Sequence, residues 1–341
     1  MRDRIAAVVI LGAALMLPGA ARALCDVTYR VQPGDTLAGV AETHYEDAEQ
    51  WPLIYYANQA GLAGQAQALV AGSEIYIPCP AQNPEPDATP LRQSGAELTL
   101  LTAGGDVPFA DQDWPGGGMV TELVNAALEL SPSPVPYEIV WEPDRSQHLE
   151  PLLGQKRYDM GFPWIKPDCS MIPDATLCTA FHFSEALMDL PVMVFRRADS
   201  DFRYSEDADI LGKRLCRPAG RFTHDLDRAD RRWLAEGKIS LTQPGSPEEC
   251  FALLMAGAVD AVSLDVFEGA AKIVAMGLRG QVVPVDQPLS RESLHAVISK
   301  THWRGTTHLY RLNAGLDKLR ESGRYGEIVQ RHLALFWEAL K

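Results

Sequence analysis

Beyond its first two dozen residues the chain has no apolar run approaching the roughly 18 residues that a spanning helix needs, so no other segment is expected to cross a bilayer as a helix. Positive charge is scarce. Lys and Arg number 31 against 45 Asp and Glu, a formal charge of −14, so bulk electrostatics disfavour nucleic acid as a partner. The cysteines show no C-x2-C or C-x4-C spacing, so the usual zinc arrangements are missing and no metal is expected. There is no G-x-S-x-G and no H-E-x-x-H, which removes the common hydrolase signatures, and scattered carboxylates alone do not define a glycosidase pair. Gly116-Gly117-Gly118 is not followed by Gly-Lys-Ser/Thr, and Asp106, Asp111 and Asp113 nearby would repel phosphate. The expectation is a protein without cofactor that is not an enzyme.

What the chain does contain is enough apolar sequence, 46%, for two or three packed units in 341 residues. Residues 1–23 carry Arg2 and Arg4, an apolar run over 5–17, a Pro18-Gly19 break and Ala21-Arg22-Ala23, the pattern of a cleaved signal peptide. Cleavage there removes three Arg and one Asp and takes the formal charge from −14 to about −16. Cys25 is not expected to carry lipid, because Leu24 occupies a place that needs a small residue. No membrane span is expected after cleavage. All six cysteines lie beyond residue 23, an even number in an exported chain, which argues for disulfides. Fifteen pairings are open, and sequence neighbourhood favours Cys25–Cys79, Cys169–Cys178 and Cys216–Cys250.

Residues 25–80 read as strand, turn, two helices and closing strand. Pro33-Gly34 is a turn dipeptide, and Asp35 or Thr36 can cap a helix that presents Leu37, Val40 and Ala41 on one face. Trp51, Ile54 and Tyr55 repeat that spacing, and Asn58 can end the second helix. The segment resembles a LysM module in Val31-x-Pro33-Gly34-Asp35-Thr36-Leu37, Ile54-x-x-x-Asn58 and Gly72-x-x-Ile75-Tyr76-Ile77-Pro78. The resemblance implies binding of N-acetylglucosamine-containing strands of peptidoglycan through Gly34, Asp35, Thr36, Leu37, Asn58 and Gln59. Residues 81–96 are Pro-rich without apolar periodicity, which predicts an extended linker and two units that move independently.

From residue 97 strands and helices alternate, the pattern of an α/β fold. Strands are expected over 98–102, 137–141 and 159–164, with a helix after Gly118 and a short one over 149–153. An apolar strand over 190–195 leads to a strand over 214–217, then to a helix running through Trp233. A Ser246-capped helix and a buried strand over 258–265 follow. Phe183-Ser184-Glu185-Ala186-Leu187 before Pro191-Val192-Met193-Val194-Phe195, with Gly257-x-x-Asp260-Ala261-x-x-x-Asp265, resembles the family 3 bacterial solute-binding proteins of amino-acid ABC importers. The resemblance breaks at Asp174 and Leu177, where that family carries Thr and a carboxylate-clamping Arg.

The chain is thus expected to be α/β, a small βααβ LysM module plus a two-lobed periplasmic binding protein type II fold with two hinge crossings. Lobe 1 would hold about 97–190 and 290–341, and lobe 2 about 191–289. The resemblance implies a small polar, amino-acid-like ligand held by Asp106, Phe109, Trp164, Phe183, Arg221, Thr223 and Asp265, with Arg221 replacing the missing clamp. It further implies a monomer in the periplasm, associated with the cell wall, serving an ABC permease or a sensor.

Overall fold

The computed structural model describes residues 25–58, 61–62, 69–79 and 95–341. The expected signal peptide, Gln59 and nearly all of the linker lie outside the described residues. No helix among the described residues is long and apolar enough to cross a membrane.

The N-terminal unit runs β1 (Val27–Arg30), α1 (Leu37–Tyr45), α2 (Trp51–Ala57) and β2 (Glu74–Ile77), with β1 and β2 antiparallel. Thr36 starts α1 by accepting the Gly39 amide at 3.0 Å. The Cys25–Cys79 disulfide pins the two ends of the unit together. Trp51 through Tyr56 are all buried. A helix covered on every side needs more than one neighbour. One side of α2 faces α1 and β2, and the other lies on the C-terminal helix of the larger unit.

That larger unit opens with β3 (Leu98–Thr102), α3 (Met119–Glu129), β4 (Tyr137–Trp141) and β5 (Met160–Ile165). Next come α4 (Thr176–Ala180), β6 (Phe181–Phe183) and the ten-residue β7 (Met188–Arg197). After it run β8 (Arg214–Cys216), β9 (Ser240–Thr242), α5 (Pro247–Met255), β10 (Ala261–Asp265), α6 (Val266–Ala275) and β11 (Val282–Pro284). The chain closes with β12 (Ser290–Ser299), α7 (Gly305–Glu321) and α8 (Arg324–Ala339).

The strands form one curled sheet in the order β4-β3-β5-β12-β7-β10-β8-β9. Parallel β3, β4 and β5 build the first lobe under α3, α7 and α8, and parallel β8, β9 and β10 build the second under α5 and α6. Among the described residues two strands pass between them, β7 outward and β12 on the return, paired from Val192 with Ser290 to Met188 with Leu294. Cys169–Cys178 ties the loop before β6, and Cys216–Cys250 joins β8 to α5, so all three pairings are those that sequence neighbourhood favoured.

Three local expectations are corrected. The helix foreseen through Trp233 is a single tight turn, His224–Leu226, followed by irregular chain. Arg232 has φ of 49°, and Asp227 turns its carboxylate on the amides of Leu234 and Ala235, so helical hydrogen bonding cannot continue. The turn over 149–153 is also irregular, with Pro151 inside it and Glu150 extended. Finally, the two units are docked. Tyr55 and Tyr56 of α2 reach Asp189 of β7, which an independently moving module would not do.

Candidate functional site

A cavity of about 740 Å³ lies between the lobes, at the strand ends and against the two crossing strands. Asp106 and Phe109 come from the loop after β3. That loop is held on the start of α3, where Met119 and Val120 donate their amides to the carbonyls of Pro108 and Phe109 at 2.7 and 2.8 Å. Gly118 makes the approach feasible: its φ is 99°, and a Cβ there would lie 2.5 Å from the Phe109 carbonyl oxygen. Trp164 and Ile165 come from the end of β5, and Ile172 from the loop and Thr176 and Leu177 from the first turn of α4, all within the span closed by Cys169–Cys178. Leu190, Val192 and Leu294 form the floor. The second lobe adds Arg217, Arg221, Thr223, His224, Asp265 and Glu268.

The charges are unevenly matched. Arg145 approaches Asp106 at 3.2 Å, and Arg221 pairs with Glu268. Arg217 is buried and forked onto Asp225 at 2.6 and 2.9 Å, with Ser290 of β12 donating to the same carboxylate at 3.1 Å. Asp265 caps α6, its Oδ1 accepting the amides of Phe267 and Glu268 at 3.0 and 2.9 Å, and no arginine among the described residues forms an ion pair with it. Burial, and secondly the Glu268 charge, raise the Asp265 carboxyl to about 7. Burial also raises Asp106 and Glu268, against the opposing pull of Arg145 and Arg221 respectively. The lobe 1 wall opposite is mostly apolar: Leu149, Pro163, Ile165, Pro167, Ile172 and Leu177.

Of the residues singled out in the sequence, Asp106, Phe109, Trp164, Arg221, Thr223 and Asp265 line this cavity. Phe183 does not, and is corrected: as β6 pairs with β12, its ring packs edge-on to His295 and lies under the Lys166 ammonium, 5.7 Å from ring centroid to nitrogen. Arg145, Arg217 and Glu268 were not foreseen. Glu268 follows Asp265 by three positions, the offset of a helix cap, which could have flagged it. Arg217, before Pro218 at a strand end, offered a weaker signal, and Arg145, in a loop without periodicity, offered none.

In the N-terminal unit, Thr36 is spent on its cap, and Leu37 is buried. Asp35 accepts from the Tyr29 hydroxyl and the Gln32 amide, both at 2.7 Å. Asn58 bridges to β2 through Tyr76 in both directions at 2.7 Å. Gly34 has φ of 90° at the turn. Of the side chains named for glycan contact, those of Asp35, Thr36, Leu37 and Asn58 are engaged inside the unit, and Gln59 lies outside the described residues.

Asp159, His302 and His308 bring donor atoms within 4.8 Å of one another, as a metal cage would. Their hydrogen bonds oppose it. His302 Nδ1 accepts the Arg304 amide at 3.1 Å, so its proton sits on Nε2 and points at Asp159 Oδ1, 2.9 Å away. His308 Nδ1 faces the Arg311 guanidinium at 3.2 Å, and burial lowers its pKa, so its one proton is on Nε2. Neither imidazole turns a lone pair on Nε2 inward, and the Asp159–His302 bond ties the residue ahead of β5 to the turn ahead of α7.

No family model matches the chain, and no curated protein matches it. Solved structures do. It is 18% identical to the probable amino-acid ABC transporter extracellular-binding protein ytmK from Bacillus subtilis, over 70% of this chain and 97% of that one, with a TM-score of 0.51. Against the periplasmic VFT2 domain of BvgS from Bordetella pertussis the identity is 14%, covering 69% and 92%, with a TM-score of 0.50. Identities this low speak to architecture alone, and the architecture agrees with the strand order above: the larger unit has the two-lobed periplasmic binding protein type II fold.

Proposed function

We propose that this protein is an exported solute-binding protein whose lobes close on a small molecule without altering it. The observation that carries the reading is the lined cavity at the only two crossings between the described lobes. The solute is cationic at one end and apolar at the other, an amine or an amino-acid-like molecule with an apolar body. Two lining carboxylates, Asp227 and Asp265, are in no ion pair among the described residues; Asp227 is turned onto the amides of Leu234 and Ala235, which leaves Asp265 for a cation, while Arg145, Arg221 and Arg217 each already face an acid. Leu177 and Ile172 supply an apolar wall where a carboxylate would gain nothing.

The proteins of like fold are named as an ABC transporter binding protein and a periplasmic domain of BvgS, which fits delivery to a permease or a sensor. The N-terminal unit is read as a LysM module that holds the protein on peptidoglycan in the periplasm, on the strength of its sequence pattern. Purified peptidoglycan should retain the full chain and release neither sugar nor peptide. A chain that stays in the supernatant removes the anchoring role, and measurable turnover replaces the binding reading with an enzymatic one.

The cavity reading is tested by a thermal-shift screen over amino acids, short peptides, muropeptides, polyamines and arylalkyl amines. A bound compound at 100 times its Kd adds about 2.7 kcal/mol of stability, enough to move Tm by several degrees. A screen in which no class raises Tm overturns the assignment.

A further inference from the structure

Side chains on a strand alternate between its faces. In the crossing strands, Leu190 and Val192 of β7 and Leu294 of β12 face the solute cavity. Asp189 of β7 and Arg291 of β12 are the odd-numbered neighbours on the opposite face, and there they meet the N-terminal unit. Tyr55 donates its hydroxyl to Asp189 Oδ2 at 3.2 Å, and Tyr56 donates to the Asp189 carbonyl at 2.5 Å. The Arg291 guanidinium lies 5.0 Å from the centre of the Tyr55 ring. Asp189 is paired with Ser293, and Arg291 with Pro191, so the two tyrosines bear on both crossing strands at rungs separated by one, on the same face.

A second route runs through α8, against which α2 packs. Near its start Tyr325 donates to the Leu187 carbonyl at 2.9 Å, just ahead of β7. Near its end Phe336 meets Phe267 of the second lobe edge-on at 5.3 Å and Trp337 lies tilted against the same ring at 6.4 Å, and Phe267 meets Phe109 of the cavity at 5.1 Å.

We propose that the N-terminal unit is a brace on the hinge, which sets the balance between open and closed lobes, so that a ligand held by residues 25–79 and a solute in the cavity alter each other's affinity. Closing must twist β7 against β12, and the tyrosine hydroxyls are fixed by a unit that does not twist with them. Hydrogen bonds weaken steeply with angle, so the set around Asp189 is satisfied better in one state than in the other. Losing one such bond in one state changes the populations about three- to tenfold, and linkage makes the effect reciprocal.

The test uses the full chain with spin labels at Lys318 in α7 and Ala235 in the second lobe, both exposed. The interlobe distance distribution is compared with that of the Tyr55→Phe/Tyr56→Phe variant, which keeps both rings and removes both hydroxyls. The variant should show a shifted or broadened distribution, while a control pair within lobe 1, Gln155 and Lys318, stays unchanged. Superimposable interlobe distributions overturn the proposal. If the control pair also moves, the milder Asp189→Asn variant decides by the same criterion. The measurement needs no solute, so it stands or falls apart from the cavity's proposed function.

Discussion

Asp265 serves two purposes at the end of β10: it caps α6, and it presents an acid to the cavity. An unfolded aspartate titrates near 4, whereas this carboxyl is raised to about 7, so the folded chain binds the extra proton between those values. Its contribution to stability is therefore fully present below about pH 4 and is lost as pH rises through about 7. A cationic solute needs the carboxylate and expels that proton. Affinity for phenethylamine should rise as pH climbs to about 7, by at most about tenfold per unit, and level off above it. Asp265→Asn keeps a competent cap and should give weak, flat binding by calorimetric titration. A wild-type affinity that does not change between about pH 5 and about pH 8 would contradict this role. The position of Asp265 was legible because a strand end and a helix start coincide in sequence. Phe183 misled for the converse reason: an aromatic residue beside a strand carries no sign of which face it will take, and its pairing with β12 was invisible until the return strand was placed.

At the scale of elements, the loop from Cys169 to Cys178 is a short tethered wall, contributing Ile172, Ala175, Thr176 and Leu177 to the cavity. Replacing both cysteines with serine should lower unfolding stability by about 3 kcal/mol on the loop-entropy model, read from the urea midpoint, and should weaken solute binding as well. Equal stability with unchanged binding would show that the tether is dispensable. Strands such as β3, β5 and β10 were legible from apolar runs bounded by turn residues. The chain from His224 to Trp233 was not, because its conformation is dictated by side chains engaged at a distance. Asp225 is drawn to Arg217 and Ser290, and Arg231 is forked onto Asp207. Local helix propensity cannot register such partners.

For the whole molecule, the Pro-rich stretch after residue 80 promised two units on a tether, and the contacts at Asp189 join them. The reason was in the sequence only faintly: Pro52, Leu53 and Tyr56 make α2 apolar all round, more than one small unit can cover. Scanning calorimetry of the full chain should give one cooperative transition, and two separated transitions would restore the independent tether. The lobes and their crossings followed from the order of elements, whereas the docking of the N-terminal unit onto the hinge depended on which tyrosine hydroxyls met which carbonyl.

The central claim is capture of a solute between the lobes without chemistry, and native mass spectrometry tests it directly. The full chain is mixed with phenethylamine, L-phenylalanine and 3-phenylpropionate in equal amounts. The account predicts a one-to-one complex dominated by the amine, reduced by Asp265→Asn, from which the compound is released at its original mass. Preference for the carboxylate, no complex with any of the three, or release of a product of different mass would contradict it.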